Sequence, residues 1–314
     1  TPNIAGRRLR AARSMTALVV VPSLITPFFG DLLLAIDQAL SAKGYGLLIG
    51  NLHDEAEKEA ELVRLVLSGQ ADGAILLNGR MLRDGNRSMA DSGAPIVGLS
   101  LPIADAPALA IVVDEKSGGA LVAEHLLALG HRRMAYLSGP PGNYCDVGRW
   151  AGFARRLEAA GVDPATVVRW RGDFHVESGV AAGRAFIETA DRPTAVFAAS
   201  DMMAIGFMRS VHDAGLRVPD DVSVVGYDGI VFADFTEPPL TTVRQPREAM
   251  GRAAVELLLR LIENREPTVA SAKVVRLPVA LRLARSSAAP RLGRSRHRSA
   301  AGGRSSARPE AGRP

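Results

Sequence analysis

Residues 195–206 read Ala195-Val196-Phe197-Ala198-Ala199-Ser200-Asp201-Met202-Met203-Ala204-Ile205-Gly206. An apolar run with no polar alternation suits a strand buried on both faces. The Ser-Asp pair can cap a helix that starts there, and helical spacing continues to Ala214. A strand of this kind feeding a helix is the unit of a parallel sheet covered on both sides. The unit repeats in both directions. Ser223–Gly226 reads as the next strand. Upstream lie strand Val167–Arg171 with helix Val176–Thr189, and strand Arg133–Leu137 with helix Gly148–Ala160. Earlier still, Ala17–Val21, Gly46–Ile49, Gly73–Leu77, Pro95–Leu99 and Ala110–Val113 read as strands. Between them come helices Phe28–Lys43 and Glu55–Leu67, a weaker helix over Met81–Asp91, and Gly118–Leu129.

So many units exceed one comfortable sheet. The expected fold is α/β, with two doubly wound parallel-sheet lobes and a ligand cleft between them. Leu240–Gln245 is extended again, then come helix Glu248–Asn264 and strand Val274–Leu281, so the lobes are joined by more than one crossover. The expected division is a DNA-proximal segment at 1–14, a first lobe of 15–114 plus 246–272, and a second lobe of 115–245 plus 273–284. Residues 285–314, rich in arginine, serine and glycine, lack the apolar surface to offset ordering and read as a structureless tail.

The chain has 314 residues, 47% apolar and 23% charged, enough for two cores. No apolar run reaches membrane-spanning length. The single cysteine, Cys145, excludes an internal disulfide framework and a four-thiolate metal site, and fits a cytoplasmic protein. Net charge is +5, but Arg7, Arg8, Arg10 and Arg13 crowd one end and eight arginines against Glu310 crowd the other, leaving the body acidic. The basic balance therefore says nothing of a basic groove on the body. Arg13–Gly30 has arginines before an apolar stretch, as a signal peptide does, but Pro22 and Pro27 interrupt it and no small-x-small site comes after it.

Catalytic motifs are missing. There is no G-x-S-x-G elbow, phosphate-binding G-x-x-x-x-G-K-[ST] loop or H-E-x-x-H pair. The histidines lack ligand spacing, the acidic run Asp54–Glu61 suits the first turn of a helix, and Cys145 has no base nearby. Binding without turnover, metal or cofactor is the expectation.

The strand ends carry ordered motifs instead: Ala128-Leu129-Gly130-His131-Arg132-Arg133; Arg149 with Gly152-Phe153; Ser200-Asp201-Met202-Met203-Ala204 with Gly206; Pro219 with Asp221 through Asp228; and Pro239 through Pro246. This set resembles the LacI/GalR family of transcriptional repressors, and through it periplasmic sugar-binding proteins, over residues 2–283. The resemblance implies the effector-sensing part of a homodimeric DNA-binding regulator, with a sugar-binding protein of a transport system as the alternative. Pro2–Arg10 is similar to the family hinge segment, in which Asn3, Ala5, Arg8 and Leu9 would enter the DNA minor groove and Leu9 would wedge between bases. The helix-turn-helix that precedes this hinge in the family is not in the sequence, so operator DNA is expected to be bound only with it.

The resemblance also implies a cleft site. Arg149 would contact ligand hydroxyls or a carboxylate, Asp228 would accept from sugar hydroxyls, and Phe174 and Phe28 would form apolar walls. Gln245 would contribute from the crossover. Ser200 stands where the family often has asparagine and reaches less far, and Asp114 ends a strand beside the cleft. Asp201 reads as either a helix cap or a ligand contact, and Arg149 with Asp228 as either a site or a structural ion pair. The implied effector is a small polar molecule, a pentose, a hexose or a purine-like compound, with a monosaccharide favoured. The first-lobe helices would carry much of the dimer surface.

Overall fold

The computed structural model describes residues 13–52, 55–104, 109–264 and 274–291. Two six-stranded sheets form two lobes, as expected. The first lobe runs β1 (Thr16–Val21), α1 (Pro27–Ser41), β2 (Gly46–Asn51), α2 (Ala56–Leu67), β3 (Gly73–Leu76), a hairpin β4 (Arg83–Asp84) and β5 (Arg87–Ser88), β6 (Ile96–Leu99) and β7 (Leu109–Val113). The chain then enters the second lobe: α3 (Glu115–Ala128), β8 (Met134–Ser138), α4 (Tyr144–Ala159), β9 (Val168–Arg171), α5 (Val176–Glu188), β10 (Ala195–Ala198), α6 (Asp201–Asp213), β11 (Ser223–Asp228) and β12 (Thr241–Arg244). It returns for α7 (Arg247–Asn264) and β13 (Val274–Leu277), and crosses once more to β14 (Ala280–Arg282).

The first sheet, β13-β7-β6-β3-β1-β2, is parallel throughout. The second, β14-β12-β11-β10-β8-β9, is parallel except for β14, which runs antiparallel to β12. Burial on both faces explains the unbroken apolar runs. In β1, Ala17, Val19 and Val21 join the core under α1 and α7, while Leu18 and Val20 join Leu62, Val63 and Val66 of α2 on the other side. In the second lobe, helices pack in pairs, α3 on α4 and α5 on α6. The first pair approaches so closely that a Cβ on Gly119 would fall on the Arg149 carbonyl, and one on Gly152 on the Lys116 carbonyl. Only glycine permits this backbone contact.

Three expectations need correction. The segment 81–91 is not a helix but the β4–β5 hairpin and a short 3-10 turn at Met89–Ser92. Gly85, at φ +58°, makes the hairpin turn, and Ser88 caps the 3-10 turn. The late strand is two strands broken at Pro278. The first of these, β13, pairs with β7, so residues 274–277 belong to the first sheet and only β14 to the second. Residues 285–291 are not a structureless tail. Ser286 is fully buried, its carbonyl accepts from Val224 N at 2.8 Å, and its hydroxyl accepts from Thr241 N at 2.8 Å. Ala288 O accepts from Ser223 Oγ and pairs with the His131 ring. Polar bonds from small residues do here what apolar area does elsewhere. Residues 1–12 and 292–314, including the hinge-like Asn3, Ala5, Arg8 and Leu9, lie outside the described residues.

Candidate functional site

Both sheets present their strand C-terminal ends to one cleft, which holds a cavity of about 340 Å³. Phe28, Arg149, Phe174, Asp228 and Gln245 line it together. Asp114 and Ser200 are not among its walls. Each caps the helix next along the chain: Asp114 accepts from Ser117 N at 3.0 Å, and Ser200 from Met203 N at 3.2 Å. An N-cap side chain folds back on its own helix, which takes both away from the cleft.

The second-lobe wall is built by buried polar bonds. Asn143 caps α4, accepting from Cys145 N and Asp146 N. Buried Asp146 accepts from Tyr136 Oη at 2.6 Å and from Gly139 N at 2.7 Å, which fixes the loop after β8. Gly139 leaves room for the Phe174 ring, since a Cβ there would overlap it. Phe174 itself holds φ +70° and Asp228 φ +117°, a conformation L-residues avoid unless their surroundings impose it. At Asp228 three groups impose it. Gln245 Nε2 donates to Asp228 Oδ1 at 2.8 Å, and Arg247 donates to the Asp228 and Gly229 carbonyls. Asp201 accepts from Ile230 N at 2.9 Å and from Thr242 Oγ1, so it holds the turn beneath Asp228. Asp201 thus stands behind the site as a support.

Glu115 is the residue that sequence reasoning missed. It sits one position after the strand-end Asp114, at the first turn of α3, and is 5% exposed. Its Oε2 accepts from Arg149 Nε at 2.8 Å and its Oε1 from Arg149 Nη2 at 3.2 Å. Arg149 Nη1 donates to Ala199 O, and its guanidinium carbon lies 3.7 Å from the centre of the Tyr227 ring. Asp228, expected as the arginine's partner, is farther, at 3.7 Å. The signal was a charged residue beside a candidate, and the offset of one position decides which side chain leaves the helix toward α4.

Burial dominates the electrostatics. It works against the Arg149 charge, yet Glu115 and Asp228 outweigh it and hold that charge well above arginine's usual proton affinity. Desolvation lifts Asp228 to about 6 although Arg149 opposes it, and desolvation with repulsion from Asp228 lifts Asp201 to about 8. Burial, then Glu115, pushes the Cys145 thiol up, which favours its neutral form in the cavity wall. Its Sγ approaches Ser100 O of the first lobe at 3.9 Å. Facing this wall, the first lobe offers Pro22, Phe28, Phe29, Leu77 and Leu101. The arrangement can stack one face of a small ring and accept hydrogen bonds from its edge. Among the described residues no cluster of side chains could hold a metal ion, and no helix is long and apolar enough to cross a membrane.

Residues 123–287 match the periplasmic binding protein-like domain family. The chain is 32% identical over 260 residues to the HTH-type transcriptional repressor CytR of Escherichia coli K12, covering 82% of this chain and 76% of that one. It is 36% identical over 280 residues to the HTH-type transcriptional regulator CelR of Thermobifida fusca, covering 85% and 81%. A LacI family transcriptional regulator from Enterococcus faecium, solved with bound ribose, superposes with TM-score 0.78 at 28% identity, covering 87% of this chain and 99% of that one.

Proposed function

Because this chain belongs to the LacI family of transcriptional regulators, we propose that it senses a small polar effector, a monosaccharide, in the cleft between its lobes, and that it does so as a homodimer. One observation carries the reading: a cation from α4, a carboxylate from the end of β11 and an aromatic ring from the loop after β9 converge on one cavity, in Arg149, Asp228 and Phe174. An aromatic face with an acceptor-rich edge suits a sugar ring, whose faces are apolar and whose rim is hydroxylated. The ribose bound by the E. faecium relative supports that class. Effector binding would close the lobes about their crossovers and so change how the first lobes of a dimer are spaced. Exposed apolar side chains support pairing: Leu24, Ile25, Leu34 and Ile49 on the first lobe, and Val231, Phe232, Phe235 and Leu283 on the second. The hinge-like segment with Asn3, Ala5, Arg8 and Leu9 would link this movement to operator DNA.

A thermal-shift screen of sugars, nucleobases and phosphorylated sugars tests the site. The effector will raise Tm, and Arg149→Ala and Asp228→Ala will each abolish the rise. Two variants that still respond fully would sink the assignment.

A further inference from the structure

The charge of the cleft narrows the ligand further, given the effector reading above. Arg149 is the only arginine or lysine buried among the described residues. Three of its five N–H donors are already committed, two to Glu115 and one to the Ala199 carbonyl, and its flat face lies on Tyr227. The Glu115 carboxylate therefore balances the arginine's charge before any ligand arrives. Asp228 adds a second buried carboxylate to the same guanidinium, and the exposed Asp173 lies at the cavity wall. The other arginine near Asp228, Arg247, faces Asp31 at 3.1 Å and donates to the Asp228 and Gly229 carbonyls. His175 also lines the cavity, exposed and within electrostatic reach of Asp173.

A phosphate or carboxylate entering here would meet the buried Asp228 and no arginine or lysine beyond the already paired Arg149. A hydroxyl has no such difficulty, since it donates to Asp228 and leaves the Arg149–Glu115 pair intact. We infer that the cleft selects an uncharged, hydroxyl-rich ligand and excludes anions such as sugar phosphates, sugar acids and nucleotides, with Glu115 as the residue that enforces the choice.

The test compares Tm at constant ionic strength for wild type, Glu115→Gln and the double variant E115Q/R149M. The probes are inorganic phosphate, ribose, glucose, ribose 5-phosphate and glucose 6-phosphate. Wild type is expected to ignore inorganic phosphate and both phosphorylated sugars. Glu115→Gln, with its guanidinium released, should gain a phosphate-dependent rise on the order of 2 °C that the double variant lacks. If phosphate or a phosphorylated sugar stabilises wild type more than the uncharged parent does, the charge inference fails while the cleft remains an effector site. If Glu115→Gln folds and gains nothing from phosphate, Glu115 is not the gate and the inference also fails. If that variant does not fold, the paired responses of wild type to each sugar and its phosphate decide alone. If neither ribose nor glucose shifts any protein, the monosaccharide reading suffers, and the phosphate arm still judges Glu115.

Discussion

The two lobes share a strand order and little else. The second is built around aromatic rings. Tyr136, Trp150, Phe153 and Phe197 form one contact network, with Phe197 5.2 Å from both Tyr136 and Phe153. Trp170, Phe186 and Phe207 form another. The first lobe is aliphatic, filled by Leu18, Leu32, Ile36, Ile75 and Leu76. The cleft repeats the contrast, with a charged, hydrogen-bonded wall on the second lobe and, on the first, an uncharged wall of apolar side chains with Ser23, Thr26 and Ser100. One topology therefore serves two tasks: the second lobe holds a site already assembled, and the first supplies a surface that covers it.

The largest test of that contrast removes a ring. Phe153→Ala deletes a fully buried side chain that touches three others, and should cost about 3–5 kcal/mol. Both tryptophans, Trp150 and Trp170, lie in the second lobe, so urea unfolding followed by tryptophan fluorescence reports that lobe, while circular dichroism reports both. Fluorescence should shift to lower urea first. Coincident shifts in the two signals would mean that the lobes unfold as one unit and that the contrast is only compositional.

Next in size is Gly152→Ala. It adds one methyl at the α3–α4 contact, against backbone, and should cost about 1–3 kcal/mol by forcing the helices apart. Because Glu115 and Arg149 sit at this same crossing, sugar-dependent stabilisation should weaken as well. A stable variant with an undiminished ligand response would separate packing from the site.

The smallest effect is on pH. A carboxyl whose folded pKa is raised binds its proton more tightly when folded. Its stabilising contribution is complete below its unfolded value and is lost as pH rises through the folded one. For Asp201, lifted to about 8 by burial and by Asp228, that loss extends into the alkaline range. Between pH 7 and 9 the Tm of wild type should fall, and that of Asp201→Asn should fall less. The window lies above the ordinary histidine range, so the buried imidazoles His125 and His131, which desolvation keeps uncharged, do not interfere. Parallel slopes in the two proteins would show that Asp201 carries no such proton.

Much of this molecule is legible in the sequence because parallel strands must be apolar on both faces. Unbroken runs such as Ala195–Ala198 declare themselves, and the glycines and aspartates just past them mark the strand ends where a cleft belongs. What escapes is whatever depends on a single offset or on long-range pairing. Asp114 and Glu115 are neighbours of the same charge. Capping geometry turns one inward on its helix and sends the other to Arg149. The partner of β13 is set by a strand more than 150 residues earlier, which local periodicity does not encode. The serine and alanine segment 285–291 lacks apolar content, and only the open ends of β11 and β12 reveal why it is ordered.

The order in which the chain visits its lobes has a consequence for biosynthesis. The second lobe is a nearly continuous stretch, whereas the first needs α7 and β13, which are translated after β12. On a ribosome the β8–β12 part of the second lobe can therefore fold, with β14 and 285–291 still to be added, while the first lobe exposes the flank of β7 and the face of α1 that α7 will cover. Slowing elongation before α7 would lengthen that exposure, so aggregation during expression should depend on codon usage in the stretch joining the lobes.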